Sequence, residues 1–168
     1  ALGQGALPRL ETLILSSAAI GDAGLVALAP ALRRRPALEY LYLYDNPLSD
    51  EGLAALVAPP PPAAGTPPRP AGGLKELKVL DLSGTQITDA GCATLAAASH
   101  FELLHLERLD LSFTKITDAG CAALAAALDS GALPALEELC LYGTPASAAA
   151  KEAALAALAR SRSRAAPT

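Results

Sequence analysis

The pattern Leu-x-x-Leu-x-Leu occurs five times along this chain, beginning at Leu10, Leu38, Leu77, Leu106 and Leu136. The intervals are 28, 39, 29 and 30 residues, so one repeat holds an insertion of roughly ten residues. A unit that short cannot bury an apolar face by itself. Stacked copies can, and such a chain folds as a solenoid in which each unit is covered by its neighbours. The composition agrees: 52% of the 168 residues are apolar, yet there are only two Phe, four Tyr and no Trp. An excess of Ala and Leu suits many thin, equivalent layers rather than one bulky centre.

The unit extends past its leucines. Two copies are nearly identical, Leu80-Asp-Leu-Ser-Gly-Thr-Gln-Ile-Thr-Asp-Ala-Gly-Cys92 and Leu109-Asp-Leu-Ser-Phe-Thr-Lys-Ile-Thr-Asp-Ala-Gly-Cys121. Looser copies run over 13–25 and 41–53, and the fifth keeps Leu136, Leu139, Leu141 and Thr144 but loses the Ile-Thr-Asp-Ala-Gly segment. Leu-x-Leu alternation has the period of a short strand with its leucines turned inward. Five residues after the last leucine, Ile20, Leu48, Ile87 and Ile116 supply a further buried anchor. Asp22, Asp50, Asp89 and Asp118 then stand where the next element starts, as expected N-caps for exposed helix amides. Leu25, Leu28 and Leu32, like Cys121, Leu124 and Leu128, follow at helical spacing, with alanine filling the positions between.

One strand and one helix per unit predict an α/β strand–helix solenoid with a parallel inner sheet and outer helices. The five units resemble leucine-rich repeats of the ribonuclease-inhibitor-like type, over nearly the whole chain. That resemblance implies a horseshoe whose concave side is the sheet. It departs from the family pattern where Thr85, Thr114 and Thr144 replace the usual Asn or Cys; Asn46 conforms, and Ala18, with no polar group, predicts a looser first turn.

Residues 1–168 read as a single domain. Residues 1–9 mirror the stretch before Leu136, so they are expected to be the tail of a preceding repeat, with more repeats or another domain before Ala1. The run Arg160-Ser-Arg-Ser-Arg164 has the polarity of a terminal cap. The insertion over residues 59–73 carries seven of the fourteen prolines and reads as a solvated, partly polyproline II loop. Three cysteines are too few for a disulfide framework and point to a reducing, cytoplasmic setting, with the nucleus as the alternative. No uninterrupted apolar run is long enough to span a membrane. The net charge of −4 argues against nucleic acid as a partner.

Signs of chemistry are sparse. Phosphate-cradling and nucleophile-elbow motifs are absent. His100 and His105 have no acidic partner fixed by motif. The Ser/Thr-Asp-x-Gly segments lack the alternating oxygen ligands and distal Glu of a calcium loop. Cys92 and Cys121 occupy equivalent helix positions, too far apart for a disulfide, and read as small buried apolar residues. Cys140 falls on an outward strand position, where Glu137 and Glu138 should raise its pKa and blunt it. The expectation is a non-enzymatic protein with no cofactor, no metal and no small-molecule substrate.

The outward positions of the five strands carry the functional signal. They hold five of the six aromatic residues, Tyr40, Tyr42, Tyr44, Phe113 and Tyr142. They also hold eight acids, among them Asp81, Asp110 and Glu138, against Lys78 and Arg108, a net of −6 that leaves +2 for the rest of the chain. Tyrosine provides large contact area at low entropic cost. The expected activity is protein binding through Tyr40, Tyr42, Tyr44, Asp81, Arg108, Asp110, Phe113, Glu138 and Tyr142, to a partner with a basic, partly apolar surface. The family resemblance implies relatives as different as ribonuclease inhibitors, innate-receptor sensing domains, ubiquitin-ligase recognition parts and activators of Ran-type GTPases. A fragment of such an activator is one alternative, though it would need a loop arginine that this chain lacks after each strand. A structural spacer within a longer solenoid is the other.

Overall fold

The computed structural model describes residues 9–34, 37–57, 74–98 and 103–165. The opening segment before Arg9, the proline-rich insertion and His100 lie outside the described residues. Strands and helices alternate as β1 (Thr12–Ile14), α1 (Asp22–Leu32), β2 (Tyr40–Tyr42), α2 (Asp50–Val57), β3 (Val79–Asp81), α3 (Asp89–Ala98), β4 (Arg108–Asp110), α4 (Asp118–Asp129), β5 (Glu138–Cys140) and α5 (Ala148–Ala165). The strands form one parallel sheet in the order β1-β2-β3-β4-β5. Each pairs with the next in the same register, so Leu13, Leu41, Leu80, Leu109 and Leu139 line up across it.

The leucine ladder explains both the strands and their spacing. The inward leucines of the three middle repeats are fully buried, as are Leu48, Ile87 and Ile116 behind them; Ile20, their counterpart in the first repeat, is only half-buried. Helices close the other side: Leu25, Ala29 and Leu32 from α1, and Cys121, Leu124 and Leu128 from α4, face the sheet at spacings of three and four. Among the described residues, no helix is long and apolar enough to cross a membrane.

The aspartates act differently from the expectation. Asp22, Asp50, Asp89 and Asp118 are the first residues of their helices, and their carboxylates reach the following repeat. Asp89 accepts from the Thr117 amide at 2.8 Å, the Thr117 hydroxyl at 2.6 Å and the Gly120 amide at 2.9 Å. Asp22 does the same to Ser49 and Gly52, Asp50 to Thr88, and Asp118 to Ser147. Adjacent helices run side by side, so the unsatisfied amides of the next helix lie beside each carboxylate. The caps therefore staple one repeat to another. The recurrent glycine two residues on makes room: a Cβ at Gly52, Gly91 or Gly120 would meet the preceding repeat's carboxylate oxygen at 2.5, 2.5 and 2.4 Å. Hydrogen bonds from Thr117 lead the lowering of the Asp89 pKa. Burial pushes Asp22 up, but the bonds from Ser49 and Gly52 outweigh it and leave its pKa lowered.

The turns after the strands close in two ways. Thr85, Thr114 and Thr144 each donate to the carbonyl three residues back, at 2.6, 2.7 and 2.9 Å. Backbone amides then bridge to the preceding repeat, Gln86 to Leu48 and Lys115 to Ile87. Pro47 occupies the equivalent place in the second repeat and has no amide to give. Asn46 substitutes for it: its Oδ1 accepts from Ala18 and Ile20, and its Nδ2 donates to the Leu15 and Leu43 carbonyls. The polar group missing at Ala18 is thus supplied by the neighbour, and the first turn is closed rather than loose.

Candidate concave-face interface

Eight of the nine expected contact residues lie at outward positions on the strands or just after them, and Phe113 follows one residue later, in the left-handed turn beyond β4. The pairing register sets them in rows across the sheet. One row reads Thr12, Tyr40, Val79, Arg108 and Glu138; the next reads Ile14, Tyr42, Asp81, Asp110 and Cys140. Continuing by two residues gives Ser16, Tyr44, Ser83, Ser112 and Tyr142, consistent with the amide bonds from Ser17 to Tyr44, Asp45 to Ser83 and Gly84 to Ser112.

The cations of this face are engaged by its own acids. Lys78 binds Glu39 at 2.9 Å, and Arg108 binds Glu138 at 2.8 Å while approaching Asp110 at 3.5 Å. Among the described residues, Glu11, Asp45, Asp81, Glu107 and Glu137 make no ion pair, so the uncompensated charge is negative. Asp81 and Asp110 are oriented locally: Oδ1 of each accepts the amide two residues on, from Ser83 and Ser112, at 3.0 Å.

The aromatics form two separate groups. Tyr40 and Tyr42 are half-buried along β2, and Tyr44 emerges beyond them. Phe113 and Tyr142 make an edge-to-face pair at 5.3 Å and 81° at the far side of the sheet. Both are exposed, at 61% and 75%. Phe113 holds φ at 58°, a left-handed conformation, and its ring lies over Gly143. The equivalent positions in the flanking repeats are Gly84 and Gly143, also at positive φ. Sequence reasoning missed Ile14, 64% exposed beside Tyr42, although it occupies the same outward position as the residues that were found.

The thiols are unreactive in character. All three cysteines are free. Burial, reinforced by Asp89, raises Cys92 to about 12. Cys140 is raised to about 11 by burial first, then by the carboxylates of Asp110 and Glu138; Glu138 thus contributes as expected, and Asp110 replaces Glu137 as its other acidic neighbour. His105 lies 4.0 Å from Glu76, an acidic partner the sequence did not reveal, but both are largely exposed. An open depression of about 340 Å³ between Lys78, Leu104, His105, Glu107, Pro134 and Ala135 sits at the entry ends of the strands, away from the aromatics. Among the described residues no group of three or more His, Cys, Asp or Glu is arranged to hold a metal ion.

A leucine-rich repeat model matches residues 7–29, 36–57, 75–96 and 102–125, more than half of the chain and four of its five units. The chain belongs to the leucine-rich repeat family. Repeat arrays of this kind present an extended concave surface for protein partners, and the fold here is a non-enzymatic interaction fold. No curated protein matches the chain. A solved structure described as leiomodin-1 actin-binding site 2 is similar, with a TM-score of 0.69 at 16% identity over 97% of this chain and 86% of that one. At that identity the likeness carries the fold.

Proposed function

We propose that this leucine-rich repeat chain is a protein-interaction module that binds its partner on the concave face, and that the partner's surface is basic and partly apolar. The observation that carries this reading is the coincidence, on one face of the sheet, of exposed aromatic rings with acids left uncompensated once Lys78 and Arg108 have paired. Rings provide the desolvated contact area, and the negative field steers a cationic partner and sets its orientation. The leiomodin neighbour is named for binding actin, and what is shared with it is the repeat architecture, which is compatible with a protein partner.

An affinity capture from a eukaryotic extract tests the proposal. The wild-type chain is compared with one carrying Tyr40→Ser, Tyr42→Ser, Tyr44→Ser and Tyr142→Ser, after circular dichroism has verified that the variant is folded. Preys held by the wild type, released by salt and lost from the variant support the concave face. Identical prey lists would exclude it and favour a spacer role.

A further inference from the structure

The two aromatic groups differ in a way that locates the ligand along the face. Tyr40 and Tyr42 are half-buried and contribute to the sheet whether or not anything binds. Phe113 and Tyr142 are mostly in water. Phe113 sits at the left-handed turn position that Ser17, Asp45, Gly84 and Gly143 hold in the other repeats, and it alone brings an aromatic ring there, paired edge-to-face with Tyr142.

The rows define what lies between the groups. Tyr44, Ser83, Ser112 and Tyr142 follow four consecutive strands, with Phe113 next to Ser112, so Tyr44 stands two strand spacings, about 10 Å, from Phe113 and three, about 14 Å, from Tyr142. The floor between them is two small hydroxyl residues and, one row down, the adjacent carboxylates of Asp81 and Asp110. Asp110 is approached by Arg108; among the described residues no cation reaches Asp81. A trough that narrow admits one extended chain more readily than the body of a folded domain. A narrow acidic floor between aromatic walls fits a long planar cation, whose guanidinium stacks on rings and bonds a carboxylate edge-on.

The geometry points to this trough, from Tyr44 to the Phe113–Tyr142 pair, as the seat of an extended basic segment of the partner, with an arginine side chain set on Asp81. The inference rests on the concave-face reading and narrows it to one part of the face and one ligand chemistry.

The probe is a randomised linear peptide library displayed on phage and panned on the full chain. The consensus peptide is then synthesised and titrated calorimetrically against variants. The expected consensus is an arginine flanked by bulky apolar residues. Its affinity should fall about tenfold or more in Asp81→Asn and in Phe113→Gly, and change less than about twofold in Glu152→Gln, which removes an exposed acid of α5 away from the sheet face. Asn keeps the oxygen that Ser83 bonds, and Gly matches the neighbouring repeats, so both variants should fold as the wild type does. A consensus without a basic residue, an affinity indifferent to Asp81 and Phe113, or no enriched peptide would each overturn the trough. If the four-tyrosine variant still loses the captured preys in that case, the broader concave-face reading stands and only its narrowing fails.

Discussion

The first and last repeats share one motif and differ in how well it is sealed. Leu10, Leu13, Leu15, Ile20 and Leu28 are only partly buried, whereas Leu38, Leu41, Leu43, Leu48 and Leu56, their counterparts one repeat on, are buried to within 1%. The fifth repeat keeps Leu136, Leu139 and Leu141 at 2–6% exposure. Its helix α5 has 18 residues against 11 in α1, and it buries Ala154, Ala157, Leu158 and Ser161. Arg160 grips Asp129 through two bonds of 3.0 and 2.7 Å, and Arg164 donates to the Leu128 carbonyl at 3.0 Å, so α5 is pinned to the end of α4. Helix α1 has Pro30 within it and an N-cap, Gly21, with no side chain to offer. In a solenoid a residue's stabilising weight is set by the layers beside it more than by its own identity.

Leucine truncation gives the largest expected difference. Leu109→Ala, in a fully buried site between two covered repeats, should cost about 3–4 kcal/mol, while Leu13→Ala at the equivalent place in the first repeat should cost about 1–2 kcal/mol. Denaturant midpoints at unchanged slope check the pair; equal losses would mean that the first repeat is sealed in solution.

Asn46 comes next, because it compensates for the weak end. Asn46→Ala would strand the amides of Ala18 and Ile20 and the carbonyls of Leu15 and Leu43, at a cost of about 2–3 kcal/mol. Thr114→Val removes one bond to one carbonyl and should cost about 1 kcal/mol. Hydrogen exchange should then show the Asn46→Ala loss concentrated in the first two repeats and the Thr114→Val loss in the fourth.

Much of this was legible from the leucines. Their alternation fixed which residues face out, and with that the placement of Tyr40, Tyr42, Tyr44 and Tyr142 on one side of a sheet. What stayed hidden depends on the adjacent repeat. The Asp-x-Gly spacing reads as a cap within one helix; only the stacked neighbour shows that the carboxylate serves the next helix and that the glycine leaves room for it. Asn46 reaches across a repeat boundary that a linear motif does not display. The left-handed turn at Phe113 had a faint signal, since Gly84 and Gly143 mark the same position.

The aspartate staples give a smaller, pH-dependent effect. The Asp22 and Asp89 carboxyls titrate below their ordinary value of 3.8 in the folded chain. Their stabilisation is complete above the unfolded pKa and is lost as pH falls through the lower folded values. Stability should therefore be flat on this account above about pH 5 and decline below about pH 4. Asp89→Asn should cost about 1 kcal/mol at neutral pH and flatten part of that decline. An unchanged acid limb in the double variant Asp22→Asn, Asp89→Asn would remove the staples from the account.

Phe113→Gly has the smallest expected effect on stability, and it is the sharpest test of whether the fourth repeat's aromatic belongs to the fold or to a ligand. Glycine relieves a left-handed strain of about 1 kcal/mol at φ 58°. Against that, the variant loses the ring's contacts with Gly143 and Tyr142, about 0.5–1.5 kcal/mol, and gains unfolded-state freedom worth about 0.4–1 kcal/mol. The balance lies between about zero and a loss of about 1.5 kcal/mol, in contrast to the several expected for a buried leucine one strand position away. A midpoint that barely moves while the partner is lost would assign the ring to recognition. A loss of 2 kcal/mol or more, on the scale of about 3 kcal/mol for removing a core aromatic, would mean that Phe113 is part of what seals the fifth repeat. The contrast between the two ends of the solenoid would then owe more to that ring than to the arginines of α5.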